Sequence, residues 1–489
     1  MNIHFKMIPR RTIVLGLLFL VLLPSCKKYL YLKPEDSTYD KVFWASGANV
    51  EKALAGASGL FRDAITASRL HFIVGDFVTS EFLRGSDFWN FEALSIDGQN
   101  NYAYTPYIEP VSNWTSFYGV INQCHLIVEN TPNIDDSKFE GGADQKKQLL
   151  GEGYFLRALT YFYMLRIWGE PVVTRHSVVD PLNVPPVPRS TDEETLGYCI
   201  EDLLKAADLL PPKSDNPVYA DKNAAWALLA HIYAWKHDYE NAEKYCDEVI
   251  SKGGYTLEPI DTYTNIWDAQ SGETIFEVFL KYDKGNNEAQ KDFFNIFLFN
   301  PIVNKGNNSS WAVNTDYADE LFGDENDQRY AKIFTNGQGG VMLSKYTGVN
   351  HFDPNRPDEY VIDNNLVLFR LADIKLLKAE ACVKLNQVAE ARKEINDIRN
   401  RAQATPLADN ASCSMETVFD ERARELYGEG SLAFDNIRMK LTNPDYAQTL
   451  PDPFTPERVK AKGYYWPLAM RILLPQNALL TQNEWWKNH

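Results

Sequence analysis

Residues 223–250 read NAAWALLAHIYAWKHDYENAEKYCDEVI. Ala224, Ala227, Leu228, Ala230, His231 and Tyr233-Ala234 form one face of mixed small and large side chains. The pattern breaks at His237-Asp238. Ala242, Tyr245, Cys246 and Val249 then resume it at i, i+3, i+4, i+7, the period of a helix buried on one side. The stretch therefore predicts two helices joined by a tight turn. Alternating Ala with large residues lets such a pair pack closely.

A second copy follows at 371–402, LADIKLLKAEACVKLNQVAEARKEINDIRNRA, with its turn at Asn386-Gln387. Leu376-Leu377 align with Leu228-Leu229, and Ala391, Ile395 and Ile398 line the second helix. A looser pair spans SFYGVINQCHLIVEN (116–130) and QKKQLLGEGYFLRALTYFYMLRIWG (145–169). A further helix at 193–210 ends before Pro211-Pro212 and is expected to pack on the helix at 223. The pairs, at about 113–169, 193–251 and 367–402, resemble tetratricopeptide units. The expected fold class is mainly α, a tetratricopeptide-like helical-repeat scaffold with long loop-rich insertions. Those insertions fall at about 80–112 and 253–365 and are rich in Gly, Asn, Asp and aromatics. Within the second, TIFEVFLKY (274–282) and VMLSKY (341–346) have strand character. Long stretches of this kind inside a compact body are usually functional.

The N-terminus decides where the chain works. Residues 1–25 carry Lys6, Arg10 and Arg11 and no acid, followed by an apolar run from Ile13 to Leu23. As a helix that run spans roughly 17 Å, too short for a hydrocarbon core of roughly 30 Å. It has the form of a secretory signal, and Leu23-Pro24-Ser25-Cys26 resembles a bacterial lipobox. We expect a signal peptide over 1–25, lipidation at Cys26, a tether over 26–45 and a single body over 46–489. Several acyl chains on one residue anchor far better than one. The formal charge of −17 argues against nucleic acid as a partner. Five cysteines remain after Cys26. An odd number cannot all pair, and their helical settings point to buried free thiols. No Cys/His spacing suggests zinc. No cofactor is expected; the acidic loops leave a structural calcium open, without an EF-hand loop.

Five segments in order resemble the SusD/RagB family of outer-membrane lipoproteins from Bacteroidetes. They are CKKYLYLKPED (26–36), GEGYFLRALTYFYMLRIWGEPVV (151–173), LFRLADIKLLKAEA (368–381), FDERARELYGEGSLAFDNIR (419–438) and YYWPLAMRILLPQNALLTQNEWW (464–486). Two departures stand out: Ser431-Leu432 replaces a second family arginine, and Trp466-Pro467-Leu468-Ala469 replaces WPIP. The C-terminal family region covers about 340–489. The resemblance implies four tetratricopeptide-like units and a non-catalytic glycan-binding protein anchored in the outer membrane and exposed at the cell surface. It also implies a partner, a SusC-like TonB-dependent transporter that receives the captured oligo- or polysaccharide.

The residues themselves suggest where sugar would bind. Residues 82–118 contain ten Phe, Trp or Tyr, about 27%, against 13% for the whole chain. Trp114, Phe117, Tyr118 and Ile121 have helix-core spacing. Those between Phe88 and Tyr107 sit among Gly and Pro, which mark loop. Flat aromatic plates cover the apolar C–H faces of sugar rings, and Asn and Arg supply directional hydroxyl partners. The glycan-binding candidates are Arg84, Trp89, Asn90, Asn101, Tyr102 and Tyr104. Trp311 joins them because it follows an Asn/Ser-rich loop, whereas Phe293, Phe294, Phe297 and Phe299 are expected in the core. Arg157 is expected to pair with a carboxylate. Glu421, Arg422, Arg424, Glu425 and Glu429 have the i, i+4 spacing of a charged helix network, and GDENDQR (323–329) reads as a turn. Two other functions compete with glycan capture. A tetratricopeptide-type docking adaptor would leave the aromatic insertions unexplained. A glycoside hydrolase needs two carboxylates across one sugar, and no short motif singles out a pair.

Overall fold

The computed structural model describes residues 42–79, 81–84, 108–178, 180, 184–268, 271–281, 293–303, 311–351, 355–356, 359–443 and 454–487. Helices dominate. The long ones are α1 Gly47–Thr66, α2 Thr115–Asn130, α3 Gly142–Trp168, α4 Asp192–Leu209, α5 Lys222–Trp235, α6 Tyr239–Lys252, α7 Leu371–Lys384, α8 Val388–Arg401, α9 Met415–Glu425 and α10 Leu432–Thr442. From α1 to α6 each helix packs on the next, α6 packs on α7, and α7 packs on both α8 and α9. The helical hairpins read from the sequence are present. Both turns come from a residue in the left-handed region, His237 (φ 59°) and Asn386 (φ 61°), which ends a helix by turning the chain out of it. Side-chain caps fix the starts. The Thr191 hydroxyl accepts from the Glu194 N–H in a capping box on α4, Asp221 accepts from Ala224 N–H on α5, and Asp238 from Asn241 N–H on α6.

α7 is buried along its length from Leu371 to Cys382, charged residues included. A helix buried all round has to satisfy its own polar side chains, and each has a partner on a neighbouring element. Asp373 accepts from His231 at 2.7 Å and Arg422 at 2.8 Å. Lys375 pairs with Glu394, and Lys378 reaches Glu390 at 2.8 Å and Glu394 at 3.0 Å. Glu380 takes two hydrogen bonds from Arg438, each 2.7 Å. Arg157 in α3 forms the expected ion pair, a two-point contact with Asp202 of α4 at 2.7 and 2.8 Å. The five cysteines within the described residues are free and buried.

The second insertion is more ordered than its composition implies. Strands β1 Phe82–Arg84, β2 Thr274–Val278, β3 Trp311–Val313, β4 Phe334–Gly337, β5 Gly340–Leu343, β6 Val349–His351, β7 Tyr360–Ile362 and β8 Leu366–Arg370 pair as four antiparallel two-stranded ribbons: β1–β3, β2–β8, β4–β5 and β6–β7. The strands foreseen at 274–282 and 341–346 are β2 and β5.

Within α9 the expected charged network is present only as Arg424 to Glu421 at 3.0 Å. The other partners of its acidic and basic residues come from elsewhere, and most of the group is buried. Glu425 accepts from Arg329 at 3.0 Å, from Arg370 at 2.7 Å and from Arg401. Arg329, expected only to follow a turn, is fully buried; it also donates to Glu421 at 2.7 Å and to Asp327. Arg370 further holds Glu273 at 2.7 Å and Glu429 at 2.8 Å. Although burial opposes ionisation of Glu421, the guanidiniums of Arg424, Arg329 and Arg399 hold its carboxyl down at about 2. Glu425 is likewise held well below the usual range by Arg401, Arg370 and Arg329 against the effect of burial.

Removing one member of such a set leaves its partners charged and dry. Glu425→Ala is expected to destabilise the fold by about 3–5 kcal/mol, read as a lowered midpoint in chemical denaturation. A loss below about 1 kcal/mol, the range of a surface pair, would mean that the lattice is solvated.

Candidate functional site

β1 and β3 are each three residues long, and together they decide where the insertions emerge. Their register places Phe82 opposite Val313, Leu83 opposite Ala312 and Arg84 opposite Trp311. The strands are antiparallel. Residues 85–107 leave the ribbon at Arg84, and residues 304–310 enter it at Trp311, at the same end. The ends of the aromatic stretch 85–107 and of the Asn/Ser-rich stretch 304–310 are therefore anchored side by side at Arg84 and Trp311.

The seven candidates divide unequally. Arg84 is the last residue of β1. Trp89, Asn90, Asn101, Tyr102 and Tyr104 lie outside the described residues. Trp311 is buried, with 7% of its surface exposed. Its ring lies 4.7 Å from Phe77, 5.9 Å from Phe82 and 5.8 Å from Phe297, centre to centre. Its faces are therefore occupied by protein, and Trp311 supports the ribbon from below. Phe293, Phe294, Phe297 and Phe299 are buried as expected, and Phe294 stacks on Tyr346 at 4.3 Å.

A clamp that the sequence reading passed over holds the ribbon to the scaffold. It joins LHFIVGDF (70–77), a helical turn running into a π-helical turn, to the YGEGS segment (427–431) after α9. Glu81 accepts from Gly428 N–H at 3.2 Å; Asp76 accepts from Gly430 N–H at 2.7 Å and Ser431 N–H at 3.1 Å. The Tyr427 hydroxyl donates to the Glu81 carbonyl. His71 Nε2 donates to the Glu429 carbonyl at 3.1 Å, while its Nδ1 accepts from the Tyr163 hydroxyl at 3.1 Å. The approach is close enough that a Cβ on Gly75 would sit 2.2 Å from the Gly430 carbonyl oxygen. Gly430 itself has φ 78°, a conformation that favours glycine. Acids placed inside an apolar run, as Asp76 and Glu81 are, were the available signal. Among the described residues, no group of three His, Cys, Asp or Glu side chains is placed to hold a metal ion, and no helix is long and apolar enough to cross a membrane.

Two family models cover the chain: the SusD family over residues 205–486, and a model described as starch-binding associating with outer membrane over 33–234. The chain belongs to the SusD family. It is 26% identical over 535 aligned positions to SusD-like protein P38 of Formosa agariphila, covering 96% of this chain and 97% of that one. It is 24% identical to the starch-binding protein SusD of Bacteroides thetaiotaomicron over 65% of this chain and 68% of that protein. A crystal structure of a SusD superfamily protein from Bacteroides thetaiotaomicron superposes with a TM-score of 0.76 at 26% identity, covering 91% of this chain and 99% of that chain. The mainly helical body is thus a SusD-type architecture.

In this SusD-family chain the clamp also has an electrostatic character. Burial, reinforced by Glu429, pushes the Asp76 carboxyl up to about 7 despite its backbone donors. Burial and the adjoining Asp76, to which it is hydrogen-bonded, push Glu81 well above the usual carboxylate range. The pair therefore keeps a proton that the unfolded chain would release. Its contribution to stability is full below about pH 4 and is lost as pH rises through about 7. Burial also brings His71 down to about 4, so the ring is neutral at pH 7. Glu81→Gln supplies the donor permanently, and the fall in melting temperature between about pH 5 and pH 8 should be shallower than in the wild type. Identical slopes would exclude a shared proton.

Proposed function

We propose that this chain captures oligo- or polysaccharide without cleaving it and delivers it to a SusC-like TonB-dependent transporter at the cell surface. The observation that carries this reading is the pairing of Arg84 with Trp311. It brings the aromatic stretch 85–107 and the Asn/Ser-rich stretch 304–310 to one end of one ribbon, in a chain of a glycan-binding family. Trp89, Tyr102 and Tyr104 would supply plates for sugar faces. Arg84, Asn90 and Asn101 would supply directed hydrogen bonds to hydroxyls. Trp311 enters as the support of the ribbon. The ribbon is clamped through Asp76 and Glu81 to the scaffold, so the loop anchors are preorganised, which lowers the cost of binding.

Anchoring would come from acyl chains on Cys26, with residues 26–45 as the tether. Cys26→Ser should abolish incorporation of labelled palmitate and release the protein from the membrane fraction. Persistence in the membrane would rule out the lipid anchor.

Incubation of the purified mature protein with a panel of polysaccharides tests the binding function. Depletion without new reducing ends is expected; release of oligosaccharides would mean hydrolysis, and no depletion of any member would favour a protein-docking role. Replacing Trp89 and Tyr104 together by Ala should remove retention in a polysaccharide affinity gel, with a melting temperature close to that of the wild type. Retention surviving both changes would move the site elsewhere.

A further inference from the structure

A small cavity of about 60 Å³, lined by both charged and apolar side chains, lies between α3, α5, β8, α7, α9 and α10, next to the clamp. Two side chains on its wall have buried polar atoms without a partner: Arg166 Nε and Ser431 Oγ. Both can donate. Ser431 stands at the N-cap position of α10, yet its side chain caps nothing, and its backbone N–H is taken by Asp76. Arg166 is half-buried, and its guanidinium lies over the rings of Phe162, Tyr163 and Phe434 at 4.5, 5.2 and 4.4 Å. It lacks a carboxylate of its own. Asp435 and Asp373 act on it from a distance, but Asp435 is held by Arg422 and Arg438, and Asp373 by Arg422 and His231. The third acid on the wall, Glu429, is held by Arg370 and Lys345. Every other buried guanidinium on that wall has a carboxylate partner, and Arg166 does not.

A cation drawn out of water requires a compensating charge or hydrogen-bond acceptors. Rings give Arg166 part of that through cation–π attraction, but they leave its buried Nε–H without an acceptor. We propose that this cavity is a binding site for a small monovalent anion of the halide class, held by Arg166 and the Ser431 hydroxyl. Its size admits a few water-sized bodies, so a chloride with part of its hydration fits. One guanidinium without a carboxylate of its own balances one negative charge, which favours a monovalent anion over a doubly charged one. Such an anion would tie α3 to the N-terminus of α10, immediately behind the segment that clamps the β1–β3 ribbon. None of the glycan-binding candidates is among the cavity's described lining residues, and occupancy of the cavity does not require a bound sugar.

Crystals of the mature protein soaked in sodium bromide, with data collected at the bromine absorption edge, test this directly. An anomalous peak in the cavity within hydrogen-bond distance of Arg166 and Ser431 is expected. Its absence there, with peaks only at surface lysines, would overturn the proposal and leave the cavity to water. In solution, the melting temperature in sodium chloride should exceed that in sodium gluconate at equal ionic strength, because chloride would bind only the folded state. Ser431→Ala should weaken the apparent chloride affinity about tenfold, the loss of one hydrogen bond to a charged group, and Arg166→Met should remove the chloride response. Equal melting temperatures in the two salts for the wild type would likewise overturn it. If Arg166→Met does not fold, the bromide map and the Ser431→Ala titration decide the matter.

Discussion

Glu425 is shared by three guanidiniums that arrive from three places: the short helix at 329–333, the end of β8 and the end of α8. Charges this deep are costly unless each finds its partner in good geometry, and a hydrophobic replacement of the whole set could be equally stable. What the arrangement provides is register. Glu273 beside β2, Glu421 on α9 and Glu429 after it are tied to the same arginines, so sliding any one element strands several charges at once. Lys345 extends the tie to the segment after β5, through Glu429 at 2.5 Å. From Glu429 it is one residue to Gly430, and from there the chain of contacts runs through Asp76 and Glu81 to β1. The placement of the loop anchors thus follows from buried ion pairs.

The helical hairpins were legible because their signal is local: a 3.6-residue period, a turn residue and a cap lie within thirty positions. The ion lattice was not. Glutamates and arginines at i, i+3 and i, i+4 look alike on a solvated helix and on one whose charges are met by other elements. Arg329 and Arg370 carry no periodic mark that would have paired them with Glu425. The β1–β3 ribbon was hidden for a different reason. Three-residue strands have no measurable alternation, and FLR and WAV lie far apart in the sequence. Trp311 shows the limit of composition. An aromatic after a polar loop has the same surroundings in sequence whether it lies under a ribbon or faces a ligand, and only the rings of Phe77, Phe82 and Phe297 distinguish the two.

The end of the chain returns to its first half. Trp466 N–H donates to the Ile167 carbonyl at 2.7 Å and Ala469 N–H to the Ser112 carbonyl at 3.0 Å. Asn483 donates to the carbonyls of Trp168 at 3.0 Å and Trp466 at 2.7 Å, and Arg189 donates to the Trp168 carbonyl at 2.8 Å and to Asn483 Oδ1 at 2.7 Å. The last two carbonyls of α3, those of Ile167 and Trp168, are thus satisfied from residues far downstream, with Arg189 sharing the second. A nascent chain stopped before Trp466 would leave the Ile167 carbonyl at the end of its longest described helix without this donor, so that helix end is sealed only after residues 466–483 have been made.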